Sequence, residues 1–136
     1  MADGAQFIAI PKSHFTTIVN ADGTAMKASW TTAEVKGGLI RGINFATDNT
    51  ADLAVGVYIR RGGVDYLQCV VNVPAGAGAS ASVSAVNALD PQWMPFLDQE
   101  PNRALFMEAD DILYFNVGVA VVATKTLYIS AFGGVY

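Results

Sequence analysis

LAVGVYIRRGGVDYLQCVVNV, residues 53–73, is the stretch whose reading decides the fold. Leu53, Val55, Val57 and Ile59 alternate with Ala54, Gly56, Tyr58 and Arg60. Beyond Gly62-Gly63, Leu67, Cys69, Val71 and Val73 alternate with Tyr66, Gln68, Val70 and Asn72. A period of two sends successive side chains to opposite faces of a pleated strand. Paired glycines supply the positive φ values that a two-residue hairpin turn needs. The segment therefore reads as two antiparallel strands joined by a tight turn, with Cys69 on the apolar face beside Leu67, Val71 and Val73.

The same signals recur outward from this hairpin. Leu113, Phe115, Val117, Val119 and Val121 alternate with Ile112, Tyr114, Asn116, Gly118 and Ala120. Asp22-Gly23 lies between apolar runs at residues 15–20 and 26–31 and predicts a second hairpin. Asp48-Asn49-Thr50 separates Leu53 from the run 39–47, whose apolar face Arg41 interrupts. Asp110-Asp111 separates the short run 104–108 from the strand at Ile112. Ala123-Thr124-Lys125 leads into a last strand over 126–132, ended by Gly133-Gly134. Residues 74–87, rich in Ala, Gly and Ser, read as a loop followed by a short strand over 81–86. Three prolines in DPQWMPFLDQEP, residues 90–101, predict a long loop with an aromatic tip.

About eight short strands with turns between them and no helix predict an all-β fold. The expected architecture is an antiparallel β-sandwich, jelly-roll-like, over residues 15–136, preceded by an N-terminal arm, residues 1–14.

Composition narrows the function. The chain has 136 residues, of which 52% are apolar and only 15% charged, against about 25% charged in a typical soluble domain. The net charge of -4 argues against sequence-independent nucleic-acid binding, which needs clustered Lys and Arg. The longest apolar stretch, residues 117–123, is far short of the roughly 20 residues of a membrane-spanning helix. No basic stretch precedes a long apolar run near Met1, so synthesis and use in a cytoplasm, or export within an assembly, is expected. Few charges must serve the whole surface. The outward strand positions Tyr58, Tyr66, Val70, Tyr114 and Tyr128 are apolar or aromatic, which predicts self-association.

No catalytic signature is present, and no cofactor or metal site is predicted. The lone Cys69 reads as a core side chain and His14 as an incidental surface histidine. Asp48, Asn49 and Asp52, and Asp110 with Asp111, have calcium-ligand chemistry but not the EF-hand spacing, and these are also default turn residues. Arg60 and Arg61 at the hairpin end are either a clamp for an acidic partner or a solvated tip. Trp93, Met94 and Phe96 are a subunit-interface anchor, a cap on the core, or a platform for sugar rings. Phe7, Ile8 and Ile10 form an apolar patch that suits either strand addition to a neighbour's sheet edge or local packing of a disordered terminus.

Residues 16–63 and 105–136 resemble the opening and close of small tailed-bacteriophage structural proteins. The shared features are an early strand with an Asp-Gly turn, a Gly-rich turn, an Ile-rich strand, a Thr/Asn/Asp turn and a strand ending in a Gly hairpin. At the close, an acidic turn precedes an apolar strand, and the chain stops soon after Ala131-Phe132-Gly133-Gly134. The Trp93 loop and the arm lie outside the resemblance. It implies a virion protein made in the host bacterial cytoplasm, most readily a head decoration or auxiliary capsid protein. Its partners would be copies of itself, with a trimer favoured, and the major capsid protein or other virion proteins. A neck, tail-ring or head-fibre component and a carbohydrate-binding module are the alternative expectations. The family offers no site motif to carry over.

Overall fold

The computed structural model describes residues 10–31, 37–94 and 104–135. These form β1 (Ile10–Val19), β2 (Lys27–Thr31), β3 (Gly37–Thr47), β4 (Leu53–Arg61), β5 (Val64–Val73), β6 (Val86–Asn87), β7 (Leu105–Glu108), β8 (Ile112–Val117) and β9 (Thr126–Val135). One sheet runs β1-β9-β3-β6, with β7 also on β3, and the other runs β2-β8-β4-β5. Every pairing is antiparallel.

The pairings nest around the hairpin from which the sequence was read. Gly62 and Gly63, with φ of 60° and 78°, close β4 onto β5. Around that turn β3 pairs with β6 and β7, β2 with β8, and β1 with β9. The chain is thus one long doubled ribbon. Rolling it up adds the β3–β9 and β4–β8 seams and leaves two facing sheets, the arrangement of a jelly roll. Between the sheets lies one core, including Ile43, Phe45, Val55, Val57, Leu113 and Phe115. Phe45 from one sheet meets Phe115 from the other edge-on, with centroids 5.7 Å apart.

Nesting explains why several turn signals join strands of different sheets. Asp22-Gly23 does not close a hairpin: β1 pairs along its whole length with β9, and β2 with β8. A 3-10 turn, Asn20–Asp22, carries the chain across, with the Asp22 carboxylate accepting the Val19 N–H at 2.8 Å. Asp-Gly chemistry reverses a chain but does not choose the edge to which it bonds. Asp48–Thr50 and Asp110-Asp111 likewise connect one sheet to the other.

The register shifts at three places among the described strands, between Ala28 and Trp30 of β2 and at two bulges that reset the alternation of β3 and of the β4–β5 hairpin. At Arg41 the β3–β9 register shifts between Ile40 and Gly42, so Ile40 and Ile43 both enter the core and Arg41 stays outside. The second shifts β4 against β5, pairing Val57 with Cys69 but Tyr58 with Leu67. Leu67 therefore leaves the face of Cys69, Val71 and Val73 and is 55% exposed, against the expectation from simple alternation. Cys69 is buried, and burial pushes its thiol up to about 11.

Other boundaries also move. β1 starts at Ile10, so residues 10–14 belong to the first sheet rather than to an arm. β9 passes through Gly133-Gly134 instead of stopping there. β8 ends at Val117, leaving Val119 exposed and Val121 buried outside the strand. In place of a strand over 81–86 there are turns, a Ser80–Val83 bridge and the two-residue β6.

His14 is not an incidental surface residue. It lies opposite Ala131 on β1, with its ring 4.6 Å from that of the fully buried Trp30. Partial burial, helped by Lys12, holds its pKa below the ordinary histidine value of 6.5. Below that value the unfolded chain takes up a proton that the folded chain resists, so acidification favours unfolding. Urea midpoints are expected to fall as pH drops from neutral through 6.5 and to level off below the lowered folded value. His14→Phe should flatten this slope, and an unchanged slope would show that His14 charges freely in the fold.

Candidate interaction surface

The hairpin end carries Arg60 and Arg61 on opposite faces of β4, and both are used within the chain. Arg60 meets Asp65 through two hydrogen bonds, donates to the Tyr114 hydroxyl at 2.7 Å, and lies 3.9 Å over the Tyr114 ring. Arg61 grips Asp111 bidentately, at 2.8 and 2.6 Å, and reaches Glu108 at 3.2 Å. Asp111 is fully buried and also accepts the Glu108 N–H at 2.8 Å. Arg61 is the main reason the Asp111 carboxyl stays below its ordinary value, with the Glu108 N–H adding to the effect while burial opposes it. The Arg61 guanidinium is held charged in return. This geometry pins the β4–β5 turn to the β7–β8 turn and replaces the open clamp for an acidic partner considered from the sequence.

The acidic turn residues serve the same kind of purpose. Asp48 accepts the Thr126 N–H, Asn49 the Val122 N–H, and Asp52 the Ala75 N–H, each at 2.9 Å. These oxygens tie three loops together at one end of the sandwich, the structural role expected of turn residues.

The proline-bounded loop divides. Met94 is fully buried in the core and presents nothing to a partner, so for this residue the core-capping reading replaces the interface one. Trp93 packs against the core while keeping part of its surface accessible. Phe96, Phe7 and Ile8 lie outside the described residues. Ile10 pairs with Val135 as the first residue of β1.

One exposed apolar surface was only partly legible in the sequence. On the outer face of the first sheet, Phe15 is 72% exposed, Phe106 66%, Tyr128 51% and Phe132 44%. Phe15 and Phe132 meet edge-on at 6.2 Å. Their register places them together: Thr17 faces Tyr128, Ser13 faces Phe132, and Leu39 faces Phe106. Tyr128 follows from the alternation of Leu127, Ile129 and Ala131, and two more steps of that alternation reach Phe132. Phe15 and Phe106 needed the strand pairing. A groove of about 620 Å³ between β5 and β7, lined in part by Ile59, Tyr66, Leu105 and Phe106, continues the apolar surface around the sheet edge. Tyr66 and Val70 are exposed as expected, whereas Tyr58 and Tyr114 are half-buried. Tyr58 lies over Gly56, and Tyr114 lies under Arg60.

β1 forms the rim of this aromatic face; its only ladder pairing among the described strands is with β9, while β2 meets it through the Thr16–Ser29 hydroxyl contact and the Lys27 ammonium on the Thr17 carbonyl. Apart from the Thr17 carbonyl and the Val19 N–H, which Lys27 and Asp22 take up, its outer edge has no strand partner among the described residues. Among the described residues no cluster of three or more His, Cys, Asp or Glu is placed to hold a metal. The arrangement supports adhesion: apolar contact from the face and strand pairing from the rim. No protein-family model, curated protein or solved structure matches the chain.

Proposed function

We propose that the chain is a bacteriophage virion structural protein, a head-decoration or auxiliary capsid subunit. It associates with copies of itself as a trimer and cements neighbouring capsid subunits. The carrying observation is the aromatic outer face of Phe15, Phe106, Tyr128 and Phe132. A lone soluble domain gains nothing from four exposed aromatic rings on one sheet, whereas aromatic residues dominate the cores of protein interfaces. The jelly roll, an architecture used in viral capsids, and the sequence resemblance support the same reading. Cementing needs no chemistry: many copies bridging adjacent subunits resist pressure on the shell by contact area alone.

Two measurements test it. Mass spectrometry of purified virions should find the chain in numbers comparable with the capsid subunits. A copy number of a single ring would place it at a neck or tail, and its absence would end the virion reading. Light scattering of the isolated protein should give a multiple of the chain mass. Replacing both Phe15 and Phe132 with Ser should weaken association about 30-fold or more, as loss of an interface hot spot does. Both rings lie outside the core, so the variant should stay folded. A wild-type monomer at high concentration would refute self-association.

A further inference from the structure

On the side of the sandwich where β5 and β6 end their sheets, a groove of about 360 Å³ opens. Asn72 of β5, Asn87 of β6, Asp90, Gln92 and Trp93 line it, with Pro74 at one wall. The turn that presents Trp93 is tightly held. Asp90 accepts the Gln92 N–H on its side chain and the Trp93 and Met94 N–H groups on its carbonyl, all at 2.9 Å. Buried Met94 and the core contact of Trp93 anchor the turn from below. Asn87 is oriented too, its side-chain oxygen accepting the N–H groups of Ile43 at 3.2 Å and Leu89 at 3.0 Å. This leaves the Asn87 NH2 group as the donor available to the groove. The side-chain amides of Asn72 and Gln92 and the second carboxylate oxygen of Asp90 make no hydrogen bond to the described residues.

These groups define a ligand. Among the described residues the lining combines a flat indole with amide donors and acceptors, one carboxylate and no cation. A phosphate or carboxylate ligand would meet repulsion from Asp90 and find no Lys or Arg among the described lining residues. An aliphatic ligand would strand the amides without partners, at a cost in free energy. A neutral sugar ring satisfies the whole set. Its C–H face lies against the indole, while its hydroxyls, each both donor and acceptor, meet the Asn, Gln and Asp heads. We propose that this groove is a binding site for a neutral saccharide, with Trp93 as the stacking platform and Asn72, Asn87, Asp90 and Gln92 as its hydroxyl contacts. The site lies apart from the aromatic sheet face and does not depend on the virion reading.

The chain's two tryptophans make the test direct. Trp30 is fully buried, so a ligand-dependent change in tryptophan emission reports on Trp93. The intact protein is titrated with neutral trisaccharides built from glucose, galactose, mannose or N-acetylglucosamine, and with a sialylated trisaccharide for comparison. At least one neutral sugar should give a saturable change at millimolar concentration or below, and the sialylated one should give none. Asn72→Ala, an exposed strand position without structural hydrogen bonds, should keep the fold and weaken binding about tenfold, as expected for one lost hydrogen bond in a polar site. No saturable response to any of the neutral sugars, a preference for the sialylated sugar, or binding unchanged in Asn72→Ala would overturn the proposal.

Discussion

Replacing Gly133 with alanine is expected to destabilise the native fold severely. A Cβ built at Gly133 would sit 1.9 Å from the Leu39 carbonyl oxygen and 2.9 Å from the Ile40 Cα. Both are backbone atoms of β3, beside the bulge at Ile40–Gly42, and neither can swing aside as a side-chain tip could. Relief requires β3 and β9 to part where the first sheet is closed, at a cost of more than about 3 kcal/mol, the upper end for overpacked sites. That is a large share of a small domain's total stability. Soluble yield and thermal melting measure it. Gly118→Ala is the control: there an added Cβ meets only Ala54 at 3.9 Å, an ordinary contact, and the melting temperature should barely change. If Gly133→Ala melted like the wild type, the close approach of β3 to β9 would be wrong.

Asp111→Ala is the second large effect. It removes both hydrogen bonds from Arg61 and the bond from the Glu108 N–H, at a place where the carboxylate is completely buried. The expected loss is about 2–3 kcal/mol, typical for hydrogen bonds to a charged group, because the freed Arg61 remains half-exposed and water can solvate it. Acid should reproduce the loss in the unmodified protein. Since the folded carboxyl titrates below the ordinary aspartate value of 3.8, its contribution is complete above that value. It disappears as pH falls through the lower folded value. Denaturant titrations at stepped pH should show a decline in this acid range that is smaller in Asp111→Ala, where the lowered carboxyls of Asp22 and Asp65 remain to contribute. The decline lies well below the histidine range, so the His14 and Asp111 effects separate. An Asp111→Ala variant as stable as the wild type would remove the pin from the account of the fold.

The sheet face and the groove differ in how far they were legible. Tyr128 lies on an alternating strand, so its outward direction could be read locally, whereas Phe15 and Phe106 join it only through β1–β9 and β3–β7 pairing. Trp93 was readable as an aromatic in a loop, but its neighbours Asn72 and Asn87 come from strands of different sheets. Met94 was misplaced from the sequence because a proline-rich loop shows no periodicity to tell an inward side chain from an outward one. Arg60 and Arg61 looked like a free cationic tip. Asp65, the partner of Arg60, lies five residues beyond it, but Asp111, the partner of Arg61, lies fifty residues away and becomes a partner only when the ribbon rolls up.

The sequence by itself determined that this chain is a β-sandwich, because side-chain direction along a strand follows the two-residue period and Gly62-Gly63 admits little but a tight turn. Partner choice and phase were settled only by the tertiary structure. Every strand offers the same backbone donors and acceptors, so period alone cannot say that β1 bonds to β9 instead of β2. A bulge advances one strand by a residue against its neighbour, which moved Leu67 out of the core and brought Ile40 and Ile43 into it together. Gly133-Gly134 read as a strand end, yet the pair lies within β9. There Gly133 leaves the β3 backbone room that a side chain would take, and that requirement exists only once the two strands are side by side.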